Sequence, residues 1–293
     1  MRTRRRPSHP APQEVRVVTD STACLPTGVA GGPVVVPLRV HVGDDAYAEG
    51  EDITPERLAE LVAEGRQVTT SQPPPEAFAT VYRALADDGA RSIVSVHLSG
   101  ALSGTVGSAG TAAARSPLQV RAVDSRTGAA GLGFAARAAT ECAAAGADAD
   151  HVAGRAIEVA GTAHAVFVVD TLEHLRRGGR LSGAAAALGT VLGVKPILRL
   201  SDGAVELTQR VRTRAAGAER LLELAAGYVA DATRPVVAVH HFGAHDRALA
   251  LAGRLHTRTR VDVEVTPLSA VLGVHVGPGT LAVVVADLGD HAH

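Results

Sequence analysis

The chain is nearly without aromatic residues: Phe, Tyr and Trp make up 2% of its 293 residues, and Trp is absent. A core must then be built from Val, Leu, Ile and Ala, and the aromatic platforms on which single-stranded nucleic acid stacks have no material. Charge of one sign is missing too. Lys+Arg 29 stand against Asp+Glu 30, a net −1, which argues against nucleic acid as a partner. Cysteine is scarce: Cys24 and Cys142 lie far apart, form no CxxC or metal-ligand spacing, and read as reduced thiols of a cytoplasmic protein. No apolar run approaches the roughly 20 residues of a membrane span, which argues against stable membrane insertion. MRTRRRPSHPAPQ is basic with no apolar stretch behind it, so it is no secretory signal, and residues 1–13 are expected to form a disordered basic extension. The histidine-rich HHFGAH segment sits at a strand end and DHAH has no ordered context, so no metal is expected.

Against these absences stands an ordinary globular composition, 46% hydrophobic and 20% charged. Apolar runs and helical periods alternate. VRVVT from Val15 reads as a strand feeding a loop, and SIVSVHL from Ser92 and LQVRAVD from Leu118 read as strands each followed by a helical pattern. Strand–helix alternation implies a parallel sheet covered on both faces. VVVPLRVHV from Val34 reads as one strand weakened at Pro37, with an edge character. After HAVFVVD the pattern changes: LRLSDGAVELTQRV is a hairpin around Asp202-Gly203, and the strands PVVAVHHF, VDVEVTPL and TLAVVVAD complete a mixed sheet. The expected class is α/β with two α/β domains, a three-layer parallel-sheet domain over 14–160 and a two-layer mixed-sheet domain over 161–289.

Nucleotide signatures fail on context. GLGFAA from Gly131 and GPGTLA from Gly277 match G-x-G-x-x-A, but the first lies in a helical pattern and the second runs into a strand. A dinucleotide fingerprint needs a strand before it and a helix after it. There is no GxxxxGK[ST] loop and no GxSxG elbow.

What remains is a series of hydroxyl-rich turns at strand ends or helix starts, where hydroxyls and free N–H groups can hold an anion. They are DSTACLP (Asp20–Pro26), TTSQPPPEAF (Thr69–Phe78), HLSGALSGT (His97–Thr105) and AVDSRTGAAGLGF (Ala122–Phe134). Beyond them come VVDTLEHLRRGGRLSGAAAALGTVLGVKPIL (Val168–Leu198), VRTRAAG (Val211–Gly217) and HVGPG (His275–Gly279), where a histidine is read as pinned between a strand and a turn. Taken singly, each hydroxyl reads first as a helix cap. In this order, over nearly the whole chain, they resemble the DegV family of fatty-acid-binding proteins, which present a fatty acid to a bacterial fatty acid kinase with a DAK-like ATP-binding subunit.

That resemblance implies a long-chain fatty acid as ligand in a tunnel between the two domains, with no cofactor. It implies that Thr70, Ser99 and Ser103 hydrogen-bond the carboxylate, and that Arg180 and His275 flank the headgroup for the kinase step. The chain would then carry no catalytic residue of its own. The family usually has two adjacent serines where this chain has Ser99-Gly100, which leaves Gly100 a backbone N–H to offer. Chain-length preference is expected to depend on small positions around Gly107 and Ala184. Another reading of the same residues is a serine-dependent acyl hydrolase, with Ser103 or Ser99 as nucleophile and His97 or His275 as base; a third is a structural protein with an incidental cavity.

Overall fold

The computed structural model describes residues 15–25, 31–181 and 193–289; the basic extension and Ala184 lie outside these. The alternation expected at the start is present. Strands β1 (Val15–Asp20), β2 (Val34–Val36), β6 (Ser92–His97) and β7 (Gln119–Asp124) form a four-stranded sheet in the order β2-β1-β6-β7, every pair parallel. Successive side chains of a strand face opposite sides of the sheet, and the packing follows that rule. Val18 and Ile93 face helices α2 (Pro75–Asp87) and α3 (Thr105–Ala113), among Phe78, Tyr82 and Ala109. Val17, Val94 and Val96 face α4 (Ala130–Ala144) and α5 (Ala149–Gly161), among Leu132 and Val152. Both faces of these strands are covered, which is why they read as continuous apolar runs.

The stretch 34–42 is not one strand. Pro37 separates β2 in the parallel sheet from β3 (Arg39–Val42), which belongs to a small antiparallel sheet ordered β4-β3-β5. Its outer strands are β4 (Asp45–Ala48) and β5 (Val68–Ser71), and α1 (Pro55–Ala63) lies between them in the chain. A proline has no N–H to donate to a ladder, so the chain leaves one sheet and enters another there. The sequence reading contained no such sheet.

The second half forms a six-stranded sheet, ordered β10-β9-β8-β13-β11-β12, from β8 (His164–Val168), β9 (Lys195–Ser201), β10 (Ala204–Val211), β11 (Pro235–Phe242), β12 (Val263–Pro267) and β13 (Thr280–Asp287). It is mixed: β11 and β12 run parallel and the other neighbours antiparallel. Asp202 (φ 48°) and Gly203 (φ 81°) turn the β9–β10 hairpin with two positive φ angles, as an Asp-Gly pair allows. Helices α7 (Arg214–Asp231) and α8 (His245–Thr259) cover one face. The other face is buried against the first half, in a core that joins Val40, Leu58 and Phe134 to Phe242, Val271 and Val284.

Two short helices complete the seam between the halves: α6 (Glu173–Arg177) and α9 (Ala270–Val276). The second corrects the sequence reading, because His275 lies in the last turn of a helix and not at the end of a strand. Polar bonds also cross the seam. The N–H of Ala130 donates to Nε2 of buried His240 at 3.1 Å, and Ser99 Oγ donates to the Gly203 carbonyl at 2.7 Å. Among the described residues no helix is long and apolar enough to cross a membrane.

Candidate functional site

A cavity of about 330 Å³ opens on this seam, within the size range of small-molecule sites. Aliphatic side chains line most of it: Leu98 and Leu102 after β6, Leu175 of α6, Val205 of β10, and Val271 and Leu272 of α9. Thr70, Ser71, Gln72, Ser103, Arg180 and His275 supply its polar part. No carboxylate is among these lining residues, so the polar end presents hydroxyls, an amide, an imidazole and a guanidinium.

Each polar group is held by a local feature of the chain. Thr70 lies on β5 opposite Val40, and its Oγ1 is 2.9 Å from His275 Nε2. Ser103 ends the turn before α3; its Oγ is 2.8 Å from Thr105 Oγ1 and accepts the Thr105 N–H at 3.4 Å. Gln72 lies across Gly104, where a Cβ would collide with the amide, and donates to Ser108 Oγ at 3.0 Å. Arg180 donates from Nε to the Leu102 carbonyl at 3.0 Å and to the Gly178 carbonyl at 2.5 Å, fixing the guanidinium across the seam. Gly178 packs against the His275 ring where any Cβ would collide with Nδ1, and Gly277 (φ 82°) packs in the same way against His174. The glycines of RRGGR and HVGPG thus let two turns close on each other around the imidazole.

The electrostatics follow from burial. Desolvation, aided by the Arg180 charge, pulls the His275 pKa down to about 4. The imidazole is therefore neutral at pH 7, able to donate one N–H, and the positive charge of the site comes from Arg180. Burying a guanidinium stem and a neutral imidazole, with no acid among the described lining residues, leaves a polar end that favours an anion.

The cavity brings together Thr70, Ser103, Arg180 and His275, but not Ser99. Ser99 is buried outside the lining, and its hydroxyl donates to Gly203 while accepting the Ala101 N–H at 3.2 Å. The expected free N–H of Gly100 is also committed: it donates to Asp124 Oδ1 at 3.1 Å. Gly107 faces open space, with nothing within 4 Å of where a Cβ would stand, so it is not a cavity wall. His97 is sealed in the core, with Nδ1 3.0 Å from Asp20 Oδ2 and Nε2 2.7 Å from Ser95 Oγ. Gln72 was not singled out in the sequence, although it stands beside Thr70 in the same TTSQP turn.

A wider cleft of about 620 Å³ lies between α1 and the start of α8, away from these hydroxyl turns. Glu56 and Glu60 line it beside His241 and His245, whose rings pair at 3.2 Å. Carboxylates on its lining make it a poorer place for an anion. Among the described residues no group of three His, Cys, Asp or Glu side chains is placed to hold a metal ion.

Comparison with known proteins agrees over the whole described chain. The family model described as "Uncharacterised protein, DegV family" matches residues 14–288. A DegV domain-containing protein of Streptomyces coelicolor is 47% identical over 279 residues, covering 94% of this chain and 99% of that one. Among solved structures, a DegV family protein from Thermus thermophilus, described for its fatty acid binding, superposes with a TM-score of 0.86 at 37% identity, covering 94% of this chain and 99% of that one. DegV of Bacillus subtilis, described as a fatty acid binding protein, gives a TM-score of 0.87 at 30% identity with the same coverage.

Proposed function

This chain belongs to the DegV family, and from that premise we propose that it binds a long-chain fatty acid in the seam cavity. The carboxylate would lie among Thr70, Ser103, Arg180 and His275, and the chain among the aliphatic side chains. The carrying observation is that one cavity gathers these four groups with no carboxylate among its described lining residues. Burial of each methylene is worth roughly 0.8 kcal/mol, so a chain of about sixteen carbons supplies on the order of 12 kcal/mol before ordering costs reduce it. The headgroup contacts then need only orient the ligand.

The finer reading is that a cytoplasmic carrier presents this carboxylate to a separate, DAK-like fatty acid kinase. Phosphorylating a carboxylate brings a second anion beside the first, and a guanidinium with a neighbouring N–H donor can offset that charge. The solved relatives described as binding fatty acids support the ligand; the kinase step rests on the family resemblance. In the test, lipid is extracted from the purified protein and identified by mass spectrometry, and acyl phosphate is then measured with ATP and a cognate kinase. A stoichiometric fatty acid is expected, with acyl phosphate only when the kinase is present. Arg180→Ala and His275→Ala should still carry a bound lipid, with affinity lowered by about tenfold at most, and lose the product. Acyl phosphate without kinase, or an acylated serine, would transfer the chemistry to this chain.

A further inference from the structure

The small antiparallel sheet holds α9 at two points, and we infer that Glu49 is a positioning residue for the headgroup site, acting through that helix on His275. The inference rests on the reading of the cavity as a carboxylate site only where it concerns ligand affinity.

Glu49 follows β4 and is 5% exposed. Its Oε1 accepts the N–H of Val271, the second residue of α9, at 2.7 Å. Its Oε2 accepts from Ser21 Oγ, which itself accepts the Leu38 N–H at 3.0 Å. One helical turn beyond Val271 comes His275, bonded to Thr70 of β5. Both attachment points therefore belong to one rigid unit. On β3, Val40 pairs with Thr70 on one side and Tyr47 on the other, and Arg39 pairs with Ala48, the neighbour of Glu49.

The helix between these points cannot place itself. Seven residues give two turns, and helices this short are not stable on their own. Besides the Ser269 cap, whose Oγ accepts the Leu272 N–H at 3.2 Å, α9 is held by Ala270, Val271 and Val274 in the core and by Gly273, which presses on the Phe242 ring where no Cβ would fit. Without the Glu49 bond the first turn of the helix is held by packing alone, and a shift of that turn would move His275 away from Thr70 and Arg180. Val271 and Leu272 of the cavity wall move with it. Burying a carboxylate with no cation beside it is costly, and burial pushes the Glu49 pKa up, opposed by the bonds from Ser21 and Val271. An apolar residue would serve mere packing of this strand end better. What Glu49 provides is an acceptor for a helix N–H.

The test uses the full chain. His275 is titrated by NMR without ligand, its signal assigned by loss in His275→Gln, in the parent, Glu49→Gln and Glu49→Ala. The parent midpoint is expected near about 4. In Glu49→Ala it should rise by about one unit or more toward the ordinary 6.5 as water reaches the ring. Glu49→Gln, which keeps an acceptor for Val271, should leave it nearly unchanged. Palmitate affinity is then measured in a double-mutant cycle with Thr70→Ala. If Glu49 acts through the His275–Thr70 contact, Glu49→Ala weakens binding roughly tenfold in the parent and much less in Thr70→Ala. Additive losses, or an unmoved His275 midpoint in folded Glu49→Ala, overturn the inference. If Glu49→Ala does not fold, Ser21→Ala removes the support of the carboxylate instead, and an unmoved midpoint there is equally fatal. A parent that binds no palmitate refutes the fatty-acid reading, while the ligand-free titration still decides the role of Glu49.

Discussion

Two of the imidazole–hydroxyl pairs in this molecule are built in opposite ways. His97 Nε2 is 2.7 Å from Ser95 Oγ, and His275 Nε2 is 2.9 Å from Thr70 Oγ1. Behind His97 stands the carboxylate of Asp20, which completes a Ser-His-Asp order. Behind His275 stands the guanidinium of Arg180. The first pair has the arrangement associated with a serine nucleophile, yet all three residues are 0% exposed, and Tyr82 closes the chain by donating to Ser95 at 2.9 Å. Burial pushes the Tyr82 pKa up to about 12, so that hydroxyl stays protonated as a donor. The second pair lacks an acid but opens on a cavity. Triad geometry without a path for substrate is a structural cross-link, whereas a histidine beside a cation in an accessible pocket is open to a ligand, the role proposed for His275. The hydrolase reading loses support on the same ground, since the Ser99 and Ser103 hydroxyls meet Gly203 and Thr105 rather than an imidazole.

The sharpest way to break this contrast is to remove the carboxylate of the sealed pair. Asp20 accepts from the Thr22 N–H, Thr22 Oγ1, His97 and the Leu98 N–H, at 3.1, 2.5, 3.0 and 2.9 Å. Asp20→Ala strands these donors in the core, and an orphaned buried partner costs about 1–3 kcal/mol, so a loss of about 3–5 kcal/mol in folding stability is expected. Urea unfolding followed by circular dichroism reads it directly. A loss below about 1 kcal/mol would mean that the sealed pair is not a structural cross-link.

The open pair should give the reverse result. Thr70→Ala with Ser103→Ala removes two hydroxyls from the cavity end while leaving the aliphatic walls intact. A hydrogen bond to a charged group is worth roughly 1.5–3 kcal/mol, and the lower figure suits these half-buried hydroxyls, so two lost bonds amount to about a hundredfold in fatty-acid affinity. Folding stability should move far less than in Asp20→Ala. Equal lipid content in the double variant and the parent would place the carboxylate elsewhere.

Why one pair was legible in the sequence and the other was not follows from distance along the chain. The parallel-sheet half, the Asp202-Gly203 hairpin and the hydroxyl turns carry local signals: buried runs, a positive-φ dipeptide, helix starts. Thr70, Ser103, Arg180 and His275 were reached through those turns and the family pattern they form. Ser99 looked equivalent to Ser103, because the bond that consumes its hydroxyl reaches Gly203, 104 residues away. His275 was read as standing between a strand and a turn because the short apolar run before it has no decisive period, and packing against Phe242 with the bond from Val271 to Glu49 accompanies its helix. Pro37 was seen, but which sheet each side of it joins depends on pairings the local sequence does not carry.

The smallest expected effect concerns Gly100, where the family resemblance leads one to expect a second serine. Were that position a headgroup contact, Gly100→Ser would add a hydrogen bond and raise fatty-acid affinity about tenfold. The geometry argues otherwise. Gly100 is exposed, does not line the cavity, and gives its N–H to Asp124. A Cβ there would stand 2.8 Å from Asp124 Oδ2 and 3.3 Å from Val106 Cγ1, so the exposed carboxylate must swing aside. The same carboxylate also accepts the Arg126 N–H at 2.8 Å, which makes that movement slightly unfavourable. Gly100→Ser should therefore lower stability by about 1 kcal/mol or less and leave palmitate affinity within about twofold of the parent. Isothermal titration beside thermal melting separates the two quantities. A tenfold gain in affinity at unchanged stability would show that the ligand headgroup reaches past Ser103 to this turn, and the open pair would then extend further than Thr70 and His275 mark it.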